Sequence, residues 1–144
     1  MPTLLSDKIV RFDFMRVIRE KSEVIALNNI VLAFVGDAVY SLKIREKYAL
    51  SLDAKPSAVS DVCSEIVSAK SQARKVEKLI ERGVLTDEEI EIFKRARNTK
   101  KANKAKNASV NDYHKSTGFE ALLGYLYLTG QDERLDMIAY YEEG

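Results

Sequence analysis

Residues 30–40, Ile30-Val31-Leu32-Ala33-Phe34-Val35-Gly36-Asp37-Ala38-Val39-Tyr40, decide how this chain folds: nine of the eleven are apolar, and the two exceptions, Gly36 and Asp37, are adjacent. No strand-like alternation runs through them or through any other segment. Apolar residues recur at helical spacing on both sides, at Val10, Phe14, Val17 and Ile18, then at Val59, Val62, Cys63 and Ile66, and again at Ala73, Val76 and Ile80. The expected fold class is therefore all-α. Helix punctuation agrees, with Pro56-Ser57 suited to a helix start, Gly83 to a C-terminal cap and Thr86-Asp87-Glu88-Glu89 to a capping box. The spacing predicts helices near 6–21, 27–49, 57–69, 71–82, 87–98, 117–129 and 132–142. A helix apolar on nearly all sides belongs in the middle of a bundle, which places Asp37 inside.

An ionised aspartate inside a bundle is expensive unless something compensates its charge. The same anomaly recurs at Glu120, the only acid between Gly118 and Leu128 in another apolar helix. Two readings of each stand. Asp37 either pairs with a buried Arg or Lys or serves metal binding or catalysis. Glu120 either closes a capping box on Thr117 or joins Asp37 at one site. Small residues lie near both acids, Ala33 four before Asp37 and Gly124 four after Glu120, and small residues permit close helix approach. Hard oxygen donors without nitrogen or sulfur nearby select Mg²⁺ or Mn²⁺.

Composition narrows the chemistry. The chain has 144 residues, 46% hydrophobic and 31% charged, which fits one ordinary domain and excludes a disordered tail or a collagen. His114 and Cys63 are the only residues of their kinds, so one chain cannot assemble a Cys/His zinc site, and no nucleophile elbow or phosphate-cradling glycine motif is present. Cys63, on an apolar helix face, is expected in the core; Tyr113 and His114 are expected as packing or loop-anchoring residues, and Tyr125 and Tyr127 as helix packing. Met1 to Leu5 is too short for a signal sequence and the longest apolar run, Ile30 to Val35, is far too short to span a bilayer, so a cytoplasmic protein is expected.

Charge is unevenly distributed. Between Lys94 and Lys106 lie seven Lys or Arg and no acid; with a net charge of +1 for the whole chain, the remainder carries −6. The run reads as a helix end that becomes a loop up to about Asp112. It is either a solvated surface loop or a tether for a polyanion such as nucleic acid.

Residues Leu32 to Tyr40 resemble the first signature helix of the ribonuclease III catalytic domain, in which an apolar pair, Gly and Asp follow an acidic position. Ser116-Thr117-Gly118-Phe119-Glu120-Ala121-Leu122-Leu123-Gly124-Tyr125-Leu126-Tyr127-Leu128 resembles the second. Ile66 to Ala73 and Arg95-Ala96-Arg97-Asn98 are similar to the mini-ribonuclease III branch, whose members consist of the catalytic domain alone. The resemblance covers about Leu27 to Tyr141, giving an expected catalytic domain over 27–144 behind a helical N-terminal extension over 1–26. The chain also ends too soon after this region for a separate double-stranded-RNA-binding domain to be expected.

The resemblance implies a helical homodimer that hydrolyses phosphodiesters of double-stranded RNA to 5′-phosphate and 3′-hydroxyl ends. The implied substrate is the precursor of 23S ribosomal RNA, and a ribosomal protein is a further candidate partner. It implies Asp37 and Glu120 as catalytic and metal-holding residues for Mg²⁺, with Mn²⁺ as a substitute. Arg95, Arg97, Asn98, Lys100, Lys101, Lys104 and Lys106 are the expected RNA contacts. Ala33 and Thr117 stand where full-length ribonuclease III has Glu and Asp, so ion binding is expected to be weaker and more water-mediated. Two alternatives keep the helices without the cleavage: a non-catalytic RNA-binding or ribosome-assembly protein, and a helical scaffold for an acidic partner.

Overall fold

A computed structural model of the chain describes residues 16–99 and 109–142, and every regular element within them is a helix. In chain order these are α1 (Lys21–Ile25), α2 (Asn29–Ser51), α3 (Pro56–Ile66), α4 (Ala69–Glu81), α5 (Asp87–Arg97), α6 (Val110–Leu128) and α7 (Asp132–Ala139). Their ends follow from local chemistry. The Asn28 side chain accepts from the Ile30 N–H at 2.7 Å to open α2, and Pro56 opens α3 where its missing N–H costs nothing. Thr86 and Glu89 form the expected reciprocal capping box at the start of α5, with bonds of 2.9 and 3.1 Å. Gly83 stands at φ +66° just after α4, the left-handed conformation that lets the chain turn away.

The centre of the bundle is α6. Every residue from Ser116 to Leu126 except Glu120 is buried, because α2, α4, α5 and α7 all pack around it. The expectation that the 27–49 helix lies at the centre is overturned. α2 buries one stripe, Leu32, Ala33, Gly36, Val39, Tyr40 and Ile44, and leaves Val31, Phe34, Leu42 and Leu50 exposed. Asp37 lies on the exposed side as well, so its carboxylate pays no desolvation in the core. The sequence is apolar all round for two separate reasons: one face is core, and the other is uncovered in the single chain.

The central helix also starts earlier than expected. Ser109 is its N-cap, accepting from the Asp112 N–H at 2.9 Å, so Tyr113 and His114 lie within the helix and not before it. Thr117 is two turns inside and donates its hydroxyl to the Tyr113 carbonyl at 3.0 Å, which removes the capping-box reading of Glu120. The expected 57–69 helix breaks at Val67-Ser68, where Ser68 caps α4 by accepting from the Ser71 N–H. Cys63 is buried as expected, and Tyr125 is buried with its hydroxyl donating to Glu88 at 3.0 Å.

Most of the expected helix over 6–21 lies outside the described residues, and 16–20 carry no regular element. The described end of this segment is bound to the bundle. The Arg19 N–H donates to the Leu128 carbonyl at 2.9 Å, Arg16 pairs with Asp132 at 2.7 Å while its guanidinium lies 4.1 Å from the Tyr127 ring centre, and Val24 is core.

Candidate active site

Two glycines set the site. A Cβ on Gly36 would lie 1.6 Å from the Glu120 carbonyl oxygen, and one on Gly124 would lie 2.2 Å from the Leu32 carbonyl oxygen. Leu32 and Gly36 are one turn apart on α2, and Glu120 and Gly124 are one turn apart on α6. The two helices therefore meet backbone to backbone at a crossing that only glycine on each side permits. Asp37 follows Gly36 directly, and Glu120 touches it. The closest approach of the two signature helices thus brings their lone acids to one place.

That place is an open cleft of about 320 Å³ lined by Ile30, Ala33, Phe34, Asp37, Ala69, Gln72, Tyr113, Ser116, Thr117 and Glu120. None of these is Lys, Arg or His. Asp37 has no ion pair among the described residues, so the reading that paired it with a buried cation finds no support there. Glu120 is half-buried and accepts from the Gln72 amide N–H at 3.1 Å; the same nitrogen donates to the Val67 carbonyl at 2.9 Å. Ser116 and Thr117 both turn their hydroxyls back to the Tyr113 carbonyl. Ala33 and Thr117, the two positions without acids, also line the cleft, so its wall has room where carboxylates would otherwise stand.

The donor set suits a hard divalent ion. Among the described residues no group of three or more His, Cys, Asp or Glu side chains gathers in one place. Two carboxylates in an open cleft match the way Mg²⁺ binds, through one or two carboxylates with several waters retained. Gln72 lines the cleft as well, and its carbonyl oxygen is buried with no hydrogen-bond partner among the described residues. Asp37 and Glu120 would hold the ion.

Sequence reasoning assigned Gln72 no role. A signal was present, since Gln72 interrupts the buried stripe it forms with Val76 and Leu79 at i, i+4, i+7 on α4. The expected RNA-contact residues divide. Lys100, Lys101, Lys104 and Lys106 lie outside the described residues. Arg95 donates to the Ile25 carbonyl at 3.0 Å and so braces α5 against α1, while Arg97 lies over the Phe93 ring at 5.4 Å and donates to Asn98 at 3.0 Å. Both sit at the end of α5, from which the basic run departs.

Among the described residues no helix is long and apolar enough to cross a membrane. Residues 30–131 match the family model of the ribonuclease III domain. The chain is 49% identical over 112 residues to the mini-ribonuclease 3 of Streptococcus pneumoniae, an alignment covering 78% of this chain and 88% of that protein. It is 42% identical over 134 residues to the mini-ribonuclease 3 of Clostridium tetani, covering 85% and 84%. A crystal structure of a protein from Fusobacterium nucleatum superposes with a TM-score of 0.71 at 31% identity, covering 79% of this chain and 89% of that one. Both acids and both crossing glycines fall inside the matched region, and the chain belongs to the mini-ribonuclease III branch of the ribonuclease III family of endoribonucleases.

Proposed function

We propose that the chain cuts double-stranded RNA, including the precursor of 23S ribosomal RNA, by metal-dependent hydrolysis that leaves 5′-phosphate and 3′-hydroxyl ends. The observation that carries this reading is the Gly36–Gly124 crossing, which delivers Asp37 and Glu120 to one open cleft whose described lining holds no Lys, Arg or His. A bound Mg²⁺ or Mn²⁺ would supply water activation near neutral pH and charge stabilisation on the phosphate. Asp37 and Glu120 bind and orient that ion, the Gln72 amide holds Glu120, and the backbone crossing fixes their spacing. No histidine base is required. The first turn of α4, at Ala69 and Gln72, borders the cleft and turns the positive end of a helix dipole toward an incoming phosphate.

The exposed face of α2 supports a two-fold dimer. Phe34 is 78% exposed and borders both the acidic cleft and a mainly apolar groove of about 400 Å³, in which Val35, Ala38, Val39, Leu42 and Tyr127 are joined by Lys43 and Glu46. An apolar surface next to the reacting groups suits a second copy, whose own cleft would face the antiparallel strand of the duplex. The basic run from Lys94 to Lys106 would follow the phosphates of that duplex by shape more than by sequence. The reading fits a cytoplasmic enzyme acting during ribosome assembly.

The test is incubation of the purified protein with an end-labelled RNA duplex in Mg²⁺ and in chelator. Cuts with 5′-phosphate ends in Mg²⁺ alone are expected. Binding with no metal-dependent cut would instead favour an RNA-binding or assembly role.

A further inference from the structure

Gln72 is an amide where the packing of α4 asks for an apolar residue. Only 1% of it is exposed, and it sits on the stripe that otherwise buries Ala73, Val76 and Leu79. Its nitrogen is fully used, donating to the Val67 carbonyl at 2.9 Å and to the Glu120 carboxylate at 3.1 Å. Its oxygen is buried and has no partner among the described residues. Reversing the amide would not help, because the nitrogen would then be the orphan and two acceptors would lose their donor. Leaving a buried acceptor unmade costs free energy, and such an orphan asks for an explanation.

The placement supplies one. Gln72 lines the cleft with Asp37 and Glu120, and its donor end grips the carboxylate while its acceptor end is free. We propose that Gln72 is a positioning residue of this active site: its N–H fixes the Glu120 carboxylate, and its free oxygen accepts a hydrogen bond from the water shell of the divalent ion. It thereby supplies from α4 an oxygen that the positions held by Ala33 and Thr117 do not provide as carboxylates. Because the oxygen is neutral, it orders water without adding a third negative charge. The inference rests on the metal-dependent reading above and adds a residue to it.

The experiment compares the parent with Gln72→Met, which keeps the packing and removes both polar ends, and Gln72→Glu, which keeps the oxygens and removes the donor. Mn²⁺ affinity is measured on the full chain by the spin resonance of free Mn²⁺, beside thermal unfolding and steady-state cleavage of the duplex. Partners of this kind, acting through another ligand, change metal affinity or activity about 10- to 100-fold when removed. Gln72→Met is expected to bind Mn²⁺ about tenfold more weakly and to lower kcat with little change in KM for RNA; raising Mn²⁺ should recover part of the rate. Gln72→Glu, which cannot donate to Glu120, is not expected to recover the parent's kcat. Parent-like Mn²⁺ affinity and kcat in Gln72→Met would overturn the inference, as would a loss of rate explained entirely by a lowered unfolding temperature. Failure of the reading beneath it looks different: the parent itself would bind no Mn²⁺ and cleave equally well in chelator.

Discussion

Two acidic places in this bundle are built in opposite ways. Glu89, at the start of α5, is 3% exposed and held by the Arg134 guanidinium in a two-pronged ion pair at 2.6 and 2.7 Å, with the Thr86 N–H as a further donor. The same guanidinium also donates to the Val84 carbonyl, so α5, the turn before it and α7 are clasped by one side chain. In the cleft Asp37 is exposed and without an ion pair among the described residues, and Glu120 receives a neutral amide. A carboxylate that serves the fold is neutralised by the chain itself. The pair in the cleft faces an open space whose lining, among the described residues, holds no Lys, Arg or His, as a site for an external cation requires.

The contrast can be broken most severely at the cleft. Asp37→Asn should lower duplex cleavage by at least about a hundredfold, the loss typical for removing one group that stabilises developing charge. Since Asp37 is exposed, its unfolding free energy should stay within about 0.5 kcal/mol of the parent in urea denaturation. Gly36→Ala tests the crossing that makes the cleft. With the new Cβ driven into the Glu120 carbonyl, a loss of about 3 kcal/mol in the same titration is expected, with cleavage falling alongside. A fully stable, active Gly36→Ala would mean that the helices do not meet as described.

At the clasp the effects run the other way. Arg134→Met leaves Glu89 buried without its cation and should cost about 2 kcal/mol of stability, less than for a wholly buried pair because Arg134 is partly exposed. The cleavage rate measured well below the unfolding temperature should be unchanged. The smallest effect is in pH. Burial pushes the Glu89 carboxyl up, but bonds from Arg134 and Thr86 outweigh it and hold the group below the usual carboxylate range. A carboxyl depressed in the folded state stabilises above its unfolded value, about 4.3, and loses that contribution as pH falls through the folded value. Unfolding measured between pH 6 and about 3 should therefore show an acid-side decline that Glu89→Gln reduces. An unchanged decline in that variant would remove the clasp from the explanation of acid stability.

How far these places were legible in the sequence follows from the reach of each signal. The Thr86–Glu89 capping box is a four-residue pattern, and it forms as read. The Arg134 partner of Glu89 lies 45 residues away and no local pattern announces it. The signature helices were legible because both are largely apolar text with a single acid each beside the glycine of the crossing. What that text could not convey is that α6 is apolar because other described helices pack around it, whereas α2 is apolar because its outer face is left uncovered. Composition is the same in both cases, so Asp37 was expected inside. The start of α6 was missed because Thr117-Gly118-Phe119-Glu120 mimics a cap, while the working cap, Ser109 with Asp112, stood in a stretch read as loop. Gln72 went unassigned because a single amide in an apolar stripe acquires meaning only when the residue across from it is known to be Glu120.

The most direct test of the central claim, that Asp37 and Glu120 act together across the Gly36–Gly124 crossing, is a double-mutant cycle on duplex cleavage with Asp37→Asn, Glu120→Gln and both. Groups that hold one ion fail as a unit, so each single variant should lose nearly all the activity that the double variant loses. Losses that simply multiply, or a single variant cleaving at the parent rate, would contradict a shared site.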